Sequence, residues 1–358
     1  MLTDWFKPKQ PIMVGVDIGT SEIKAVLLSE SPGGYKLEGV AKVPLAKGSV
    51  VDREIRDPES VALAMRKLKA QLPKGVKYGA ASVSGSTVMT KVIFMDAELS
   101  EEELEAQIEI EADSLIPYPL EDVNIDFERL RTNEDTKKVE ILLAACRSDN
   151  VDSRVEALDA AGWESKVIDV EGYALGRSFK LLAEQLPNSG LGQVVGMVDL
   201  GASMSTFAIV ADGETAFVRE QAFGGEQFTQ SILNYYGMSY EEAEQAKIAG
   251  ELPRNYVFEV LGPFQTQLIQ QIRRTFQIFI NASQYEKVEA LILCGGSARI
   301  EGLVSVLSTE LEIPVYVADP FSGRLKASAK LKARVEPEIV SYMVACGLAL
   351  RSFEPWHI

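Results

Sequence analysis

A six-residue pattern occurs twice in this chain, with four of its residues identical, and the repeat constrains the fold more tightly than any bulk property. Val16-Asp17-Ile18-Gly19-Thr20-Ser21 returns as Val198-Asp199-Leu200-Gly201-Ala202-Ser203. Each copy follows an apolar run, Ile12 to Val16 and Val194 to Val198, and precedes another, Ile23 to Leu28 and Thr206 to Ala211. The pattern reads as strand, tight turn, strand, made twice. A single Asp-x-Gly is an ordinary turn. Two copies in the same strand setting argue for a ligand between them. An acid at a strand end can hold a hydrated metal ion, the glycine beside it admits a ligand close to the backbone, and small hydroxyl residues offer donors to phosphate oxygens. Two such turns facing each other would clamp a nucleoside triphosphate, with Asp17 and Asp199 holding its Mg²⁺ through water.

The rest of the composition narrows the partners. At 358 residues the chain is long enough for two or more domains, and its net charge of −16 argues against nucleic acid and against direct docking on an anionic membrane. Three cysteines without CxxC spacing and a single histidine, His357, make a Cys/His zinc site improbable and point to a reducing compartment. No apolar run in Met1 to Pro11 has the length of a signal peptide, and none elsewhere has that of a spanning helix, so a cytoplasmic protein is expected.

Along the chain, Gly33-Gly34 turns into a third strand, Tyr35 to Val43. A helix then opens with Asp57 as cap and Pro58 at its first position, burying Val61, Met65, Leu68 and Leu72. Ala80 to Val83 reads as a buried strand. Val88 to Gly162 follows as strand, helix, strand, strand, helix, a compact unit inserted after Val83. Its first helix starts at the capping box Ser100-Glu101-Glu102-Glu103, stops at Pro117 and carries an acidic outer face best read as solvated. Lys166 to Val170 resumes the earlier domain as a strand, Glu171 to Leu186 reads as helix, and Pro187 to Gly192 as a linker. From Gln193 the first pattern repeats, with a hairpin at Asp212-Gly213 and a third strand, Thr215 to Phe223. Gly224-Gly225 opens a helix, Glu241 to Ile248 is another with Glu244 and Lys247 on one side, and Val257 to Ala282 is a long one. Ala290 to Leu293 is a buried strand that runs into Cys294-Gly295-Gly296-Ser297-Ala298-Arg299. That is either a plain β–α turn or a place where a flat or charged group meets the backbone.

These motifs, in this order, resemble the actin-like ATPase superfamily. Asp17 to Lys24 looks like its phosphate 1 motif, including a lysine that reaches phosphate. Asp199 to Ser203 looks like phosphate 2, and Gly224-Gly225-Glu226 like the glycine turn after it. Ala243-Glu244-Gln245-Ala246-Lys247 resembles the Glu-x-x-Lys beside the adenosine, and Gly295-Gly296-Ser297-Ala298-Arg299 the adenosine motif. The resemblance implies an α/β actin-like ATPase fold, two duplicated RNase-H-like halves around a nucleotide cleft, with ATP and Mg²⁺ as ligands. Gly19, Thr20, Ser21, Lys24, Gly201, Ala202, Ser203, Gly224, Gly225, Glu244, Lys247, Gly295, Gly296, Ser297 and Arg299 would contact the nucleotide. The inserted unit is similar to that of FtsA-like proteins, an SHS2-type subdomain. Ile108 to Asp113 running into Ile116-Pro117-Tyr118-Pro119-Leu120-Glu121 is similar to a signature of the PilM family, the cytoplasmic actin-like proteins of type IV pilus assembly and twitching motility. The division this implies is half I over residues 1–85, continued by 166–192 and 325–358, the insertion over 86–165, and half II over 193–324 with a subdomain near 226–275.

The same resemblance implies partners. The cytoplasmic tail of the membrane protein PilN would dock in a groove beside the insertion, with PilC and pilus ATPases as further contacts and self-association allowed by the fold. The stretch Val167 to Ala174 matches the superfamily's water-orienting position only loosely. Glu171 is the first catalytic candidate and Asp169 the second, each equally readable as a helix-capping acid, so hydrolysis is expected to be weak or absent. The end at Trp356-His357-Ile358 lacks a clear amphipathic helix of the FtsA type, so inner-membrane association would rest on a partner. The competing readings are an FtsA- or MreB-like polymerising ATPase and a small-molecule kinase of the same fold. The kinase would need an aspartate base that the region around Val83-Ser84-Gly85-Ser86 does not supply.

Overall fold

The structure is a computed structural model that describes residues 11–85, 87–133 and 136–354. The readings made for residues 1–10, for Ser86 and for Trp356-His357-Ile358 lie outside them. The chain opens with β1 (Met13–Ile18), β2 (Glu22–Ser31) and β3 (Gly34–Pro44), then a small hairpin of β4 (Val50–Val51) and β5 (Glu54–Ile55). Helix α1 (Pro58–Ala70) follows, capped by Asp57, whose Oδ1 accepts from the Ser60 N–H at 3.0 Å, and leads to β6 (Tyr78–Val83). Next come β7 (Val88–Asp96), α2 (Glu101–Leu115), β8 (Val123–Asn133), β9 (Lys138–Arg147), α3 (Ser148–Ala160) and β10 (Glu164–Val170). The reciprocal bonds of Ser100 and Glu103 close the expected capping box on α2.

The expected helix from Glu171 to Leu186 is interrupted. It is α4 (Glu171–Arg177) followed by a separate turn, α5 (Phe179–Leu182), and Asn188 and Ser189 beyond it take left-handed backbone angles. The second pattern is β11 (Val194–Leu200), β12 (Ser205–Ala211) and β13 (Glu214–Gln221), then α6 (Gly225–Tyr236), α7 (Tyr240–Ala249), α8 (Gly262–Ala282) and β14 (Ala290–Cys294). The remaining elements are α9 (Leu303–Leu311), β15 (Val315–Val317), β16 (Leu325–Lys326), α10 (Ala329–Val335) and α11 (Met343–Leu350).

The duplication is visible in the sheets. One has the order β10-β6-β1-β2-β3-β16 and the other β13-β12-β11-β14-β15. In each, a central strand pairs antiparallel with the next strand of the chain on one side and parallel with a later strand on the other. Such a central strand is covered on both faces, which is why all six residues of β1 are buried. A core shared by both halves lies around α4 and α11, and all eight residues of α11 are buried in it. Contact there is close enough to require glycine. A Cβ on Gly15 would lie 2.2 Å from the Ala345 carbonyl oxygen, and one on Gly347 1.7 Å from that of Ala174.

The inserted stretch divides between two cores. β7, α2 and β9 bury Ile93, Met95, Leu104, Ile108, Ile141 and Leu143 against one another. The helix α3, read from sequence as part of that unit, instead buries Ala157 and Leu158 against α1 and the first sheet, beside Trp163. Ala157, Leu158 and Ala161 of this segment lie in one apolar cluster with Val61, Met65 and Leu68 of α1.

Candidate functional site

Both repeated turns close in the same way. The Gly19 N–H donates to the Glu22 carbonyl and the Gly201 N–H to the Met204 carbonyl, each at 3.1 Å. The antiparallel registers then differ in one informative place, since Asp17 lies opposite Lys24 whereas Asp199 lies opposite Thr206. Lys24 Nζ bonds Asp17 Oδ2 at 3.2 Å. The two turns face each other, and Ser203 Oγ donates to Thr20 Oγ1 at 3.3 Å. Between them is a cleft of about 410 Å³, part of it open to solvent, lined by Asp17, Gly19, Thr20, Ser21, Lys24, Asp199, Gly201, Ala202 and Ser203, and also by Arg53, Glu171, Met204 and Val344.

The glycine turns converge on the second copy. The Gly225 and Glu226 N–H groups donate to the carbonyls of Gly201 and Ala202 at 2.9 and 2.7 Å, and Ser297 Oγ donates to the Gly201 carbonyl at 3.2 Å. A Cβ on Gly224 would lie 2.4 Å from the Ala202 oxygen, one on Gly225 2.2 Å from Ser297 Oγ, and one on Gly295, at φ +86°, 2.3 Å from Asp199 Oδ1. Only glycine allows three turns to meet at this spacing. Behind them Lys247 Nζ bonds Glu244 Oε2 and Thr229 Oγ1, both at 2.7 Å, tying α7 to α6. Gly296 and Arg299 are exposed at the edge of this arrangement. Of the catalytic candidates, Glu171 is buried and lines the cleft. Asp169 does not line it and instead pairs with Arg177 at 2.6 Å.

Arg53 and Thr206 are the residues that sequence reasoning missed. Arg53 stands at the tip of the β4–β5 hairpin, and its NH1 donates to Glu171 Oε2 at 2.9 Å and its NH2 to Thr206 Oγ1 at 3.3 Å. Thr206 Oγ1 in turn donates to Glu171 Oε1 at 2.7 Å, so both carboxylate oxygens are engaged. Two-residue strands carry no periodicity, and the only local signal was the polar pair Asp52-Arg53 between Val50-Val51 and Glu54-Ile55.

The charges are unevenly matched. Burial pushes the Asp199 carboxyl up to about 7, with Lys24 opposing and Asp17 adding to the rise. Burial draws the Lys24 ammonium down, but Asp17, Glu22 and Asp199 outweigh it and hold its pKa above the usual lysine value. Three carboxylates, Asp17, Asp199 and Glu171, thus face two cations, Lys24 and Arg53. Among the described residues no three acid, histidine or cysteine side chains converge to hold a metal by themselves. A pair of acids beside phosphate-binding turns is the setting in which Mg²⁺ is held through its waters and the phosphates. The donor set therefore fits a magnesium nucleotide. So does the buried Arg53 Nε–H, which has no acceptor among the described residues.

A second cavity, about 840 Å³, lies on the far side of the Glu171–Thr206 contact. It is lined by Val88 and Thr90 of β7, by Val170 and Gly172, and by Met204, Thr206, Val218, Arg219 and Glu220, with Gly85 at its edge. Glu220 Oε2 accepts from the Gly85 N–H at 2.8 Å, and burial together with Glu171 raises its carboxyl to about 7. The folded state thus keeps the Glu220 proton to higher pH than the unfolded chain, and stability falls as pH rises from about 4.5 to 7. Glu220→Gln should be more stable than the wild type at pH 8 by about 1–2 kcal/mol after allowance for partial solvent screening, with the gap closing at pH 4. Urea unfolding at the two pH values checks this, and equal gaps would contradict it.

The sequence model of the family described as type IV pilus assembly protein PilM matches residues 15–353. A solved PilM-PilN type IV pilus biogenesis complex matches with a TM-score of 0.82 at 25% identity, covering 97% of this chain and 100% of that one. The ethanolamine utilization protein EutJ of Carboxydothermus hydrogenoformans shares the fold at a TM-score of 0.57 and 17% identity, covering 96% of this chain and 90% of its own. The cell division protein FtsA of Bacillus subtilis is 24% identical over 353 residues, covering 86% of this chain and 79% of the FtsA sequence. That of Pseudomonas aeruginosa is 23% identical over 360 residues, covering 87% and 84%. With the duplicated sheets, these likenesses give the architecture as the actin-like ATPase fold, as the motifs implied.

Proposed function

Since this chain belongs to the family of type IV pilus assembly protein PilM, we propose that it is a nucleotide-binding scaffold of pilus assembly, held at the inner membrane by the cytoplasmic tail of a PilN-type partner. The observation that carries the nucleotide part is the meeting of the two repeated turns across one cleft, with Ser203 Oγ 3.3 Å from Thr20 Oγ1. Magnesium, when bound with ATP, would supply the positive charge that lets phosphate oxygens lie beside Asp17 and Asp199. Gly19, Thr20, Ser21, Gly201, Ala202 and Ser203 would offer backbone and hydroxyl donors, and Lys24 a cation. Gly224, Gly225, Gly295, Gly296 and Ser297, with Glu244, Lys247 and Arg299 around them, would flank the base and sugar.

Glu171 would be the residue to orient water, and without nucleotide Arg53 and Thr206 engage both of its oxygens. Slow hydrolysis would suit a scaffold whose two halves are set at an angle by the ligand between them. The partner part is supported by the PilM-PilN complex that the chain resembles and by the second cavity, which the inserted strand β7 shares with both halves. No described helix is long and apolar enough to cross a membrane, so recruitment would fall to the partner. PilC and pilus ATPases would join through other faces.

A calorimetric titration with a peptide of the PilN cytoplasmic tail, with and without Mg-ATP, tests the scaffold. Saturable binding that shifts with nucleotide is expected. Absence of binding in both conditions, on protein shown to be folded, would overturn the partner assignment.

A further inference from the structure

Arg53 sits in a conformation that the backbone alone disfavours. It and Asp52 are the central residues of the turn between β4 and β5, with φ of +67° and +50°. Hairpin turns with two positive φ values ordinarily place asparagine or aspartate first and glycine second. An arginine in the second place is strained, and such strain persists only where other contacts hold it. Here they do. Arg154, fully buried on α3, donates to the Arg53 carbonyl through NH2 and to the Ser82 carbonyl through Nε at 3.4 Å. The guanidinium of Arg53 is thereby delivered into the cleft from outside both repeated turns. Its side chain is only 10% exposed, and its Nε–H remains without an acceptor among the described residues. A buried unpaired donor costs free energy, and here it belongs to a cation that lines the cleft together with Asp17, Lys24 and Asp199.

We propose that Arg53 is the residue that reads the terminal phosphate of a bound nucleoside triphosphate, exchanging its bond to Glu171 for one to phosphate. The inference rests on the nucleotide reading above and adds a residue, a preference and a route. The preference is for tri- over diphosphate, because a forked cation that already spends part of its donor set on a carboxylate suits a further oxyanion. The route runs through Thr206. Arg53, Glu171 and Thr206 together form the wall between the two cavities, and Met204 lines both. Release of Glu171 by Arg53 changes that wall, and with it the cavity beside β7.

The test compares the affinities of Mg-ATP and Mg-ADP for the full chain and for Arg53→Lys and Arg53→Gln, by calorimetry. The wild type is expected to prefer ATP. Arg53→Gln should lose about 10- to 100-fold in ATP affinity, the worth of a charge-assisted bond, with ADP affinity nearly unchanged. Arg53→Lys keeps a charge for the buried Glu171, so it guards against misfolding, yet it lacks the fork and should lose most of the preference as well. An ATP-to-ADP ratio unchanged in folded Arg53→Lys would overturn the role of Arg53 and leave the nucleotide reading standing. A wild type that binds neither nucleotide would overturn both.

Discussion

Asp199→Asn is expected to weaken ATP binding in the presence of magnesium by about 10–100-fold while leaving binding in EDTA nearly unchanged. Asp17→Asn should do the same to affinity but the opposite to stability, and the contrast makes the pair informative. Asp17 has Lys24 opposite it in the register and bonded at 3.2 Å, so its loss leaves a buried ammonium short of its partner. Asp199 faces Thr206, makes no salt bridge among the described residues and is pushed by burial up to about 7, with Lys24 opposing the rise. Asparagine there removes a charge that the folded state tolerates poorly, so Asp199→Asn should raise the unfolding midpoint at pH 8 while losing magnesium dependence. A variant that becomes more stable and binds worse cannot owe the loss to misfolding. Titrations of ATP with and without Mg²⁺, beside thermal melts, read both quantities. An unchanged ratio of the two affinities in both variants would show that metal and phosphates are not held at these turns.

The repeated turns were legible because they are local. Each is an apolar run ending in Asp-x-Gly, and period and turn chemistry are properties of adjacent residues. The capping boxes, the Gly-Gly turns and the order of the motifs were legible for the same reason. What the sequence hid depends on contacts across long separations. Arg53 and Glu171 are 118 positions apart, and Arg53 and Thr206 153, so nothing near Asp52-Arg53 shows that the hairpin tip enters the cleft. The α3 helix shows the same limit. Its apolar stripe does not name its neighbour, and Leu158 packs beside Gly79 of the first sheet, where a Cβ would lie 2.8 Å from Leu158 Cδ2. Asp169 was drawn toward the site by the loose match of Val167 to Ala174 to the superfamily's water-orienting position. On a strand, residues two apart share a face, but Glu171 already begins α4, and Asp169 turns instead to Arg177.

Gly347→Ala is expected to cost about 3–5 kcal/mol, above the roughly 1–3 kcal/mol that overpacking a core typically costs. The reason lies in how the two halves are joined. α11 is apolar on every side and wholly buried, and α4 crosses it so closely that a Cβ on Gly347 would lie 1.7 Å from the Ala174 carbonyl oxygen and 2.5 Å from its carbon. Both are backbone atoms, so no rotamer change relieves the clash and the helices themselves must part. α4 cannot retreat, because a Cβ on its Gly172 would lie 2.8 Å from Val218 Cβ and one on its Gly176 2.0 Å from Thr215 Oγ1, both on β13 of the second half. The methyl group would therefore displace α4 with Glu171 at its first turn, and disturb the Arg53–Glu171–Thr206 contacts as well as the packing. Gly296→Ala is the control, since a Cβ there meets nothing within 4 Å and its φ is not in the left-handed range. Urea unfolding of the two variants gives the comparison. Equal stabilities would mean that α4 and α11 have room to separate, and that the close join between the halves does not set the position of Glu171.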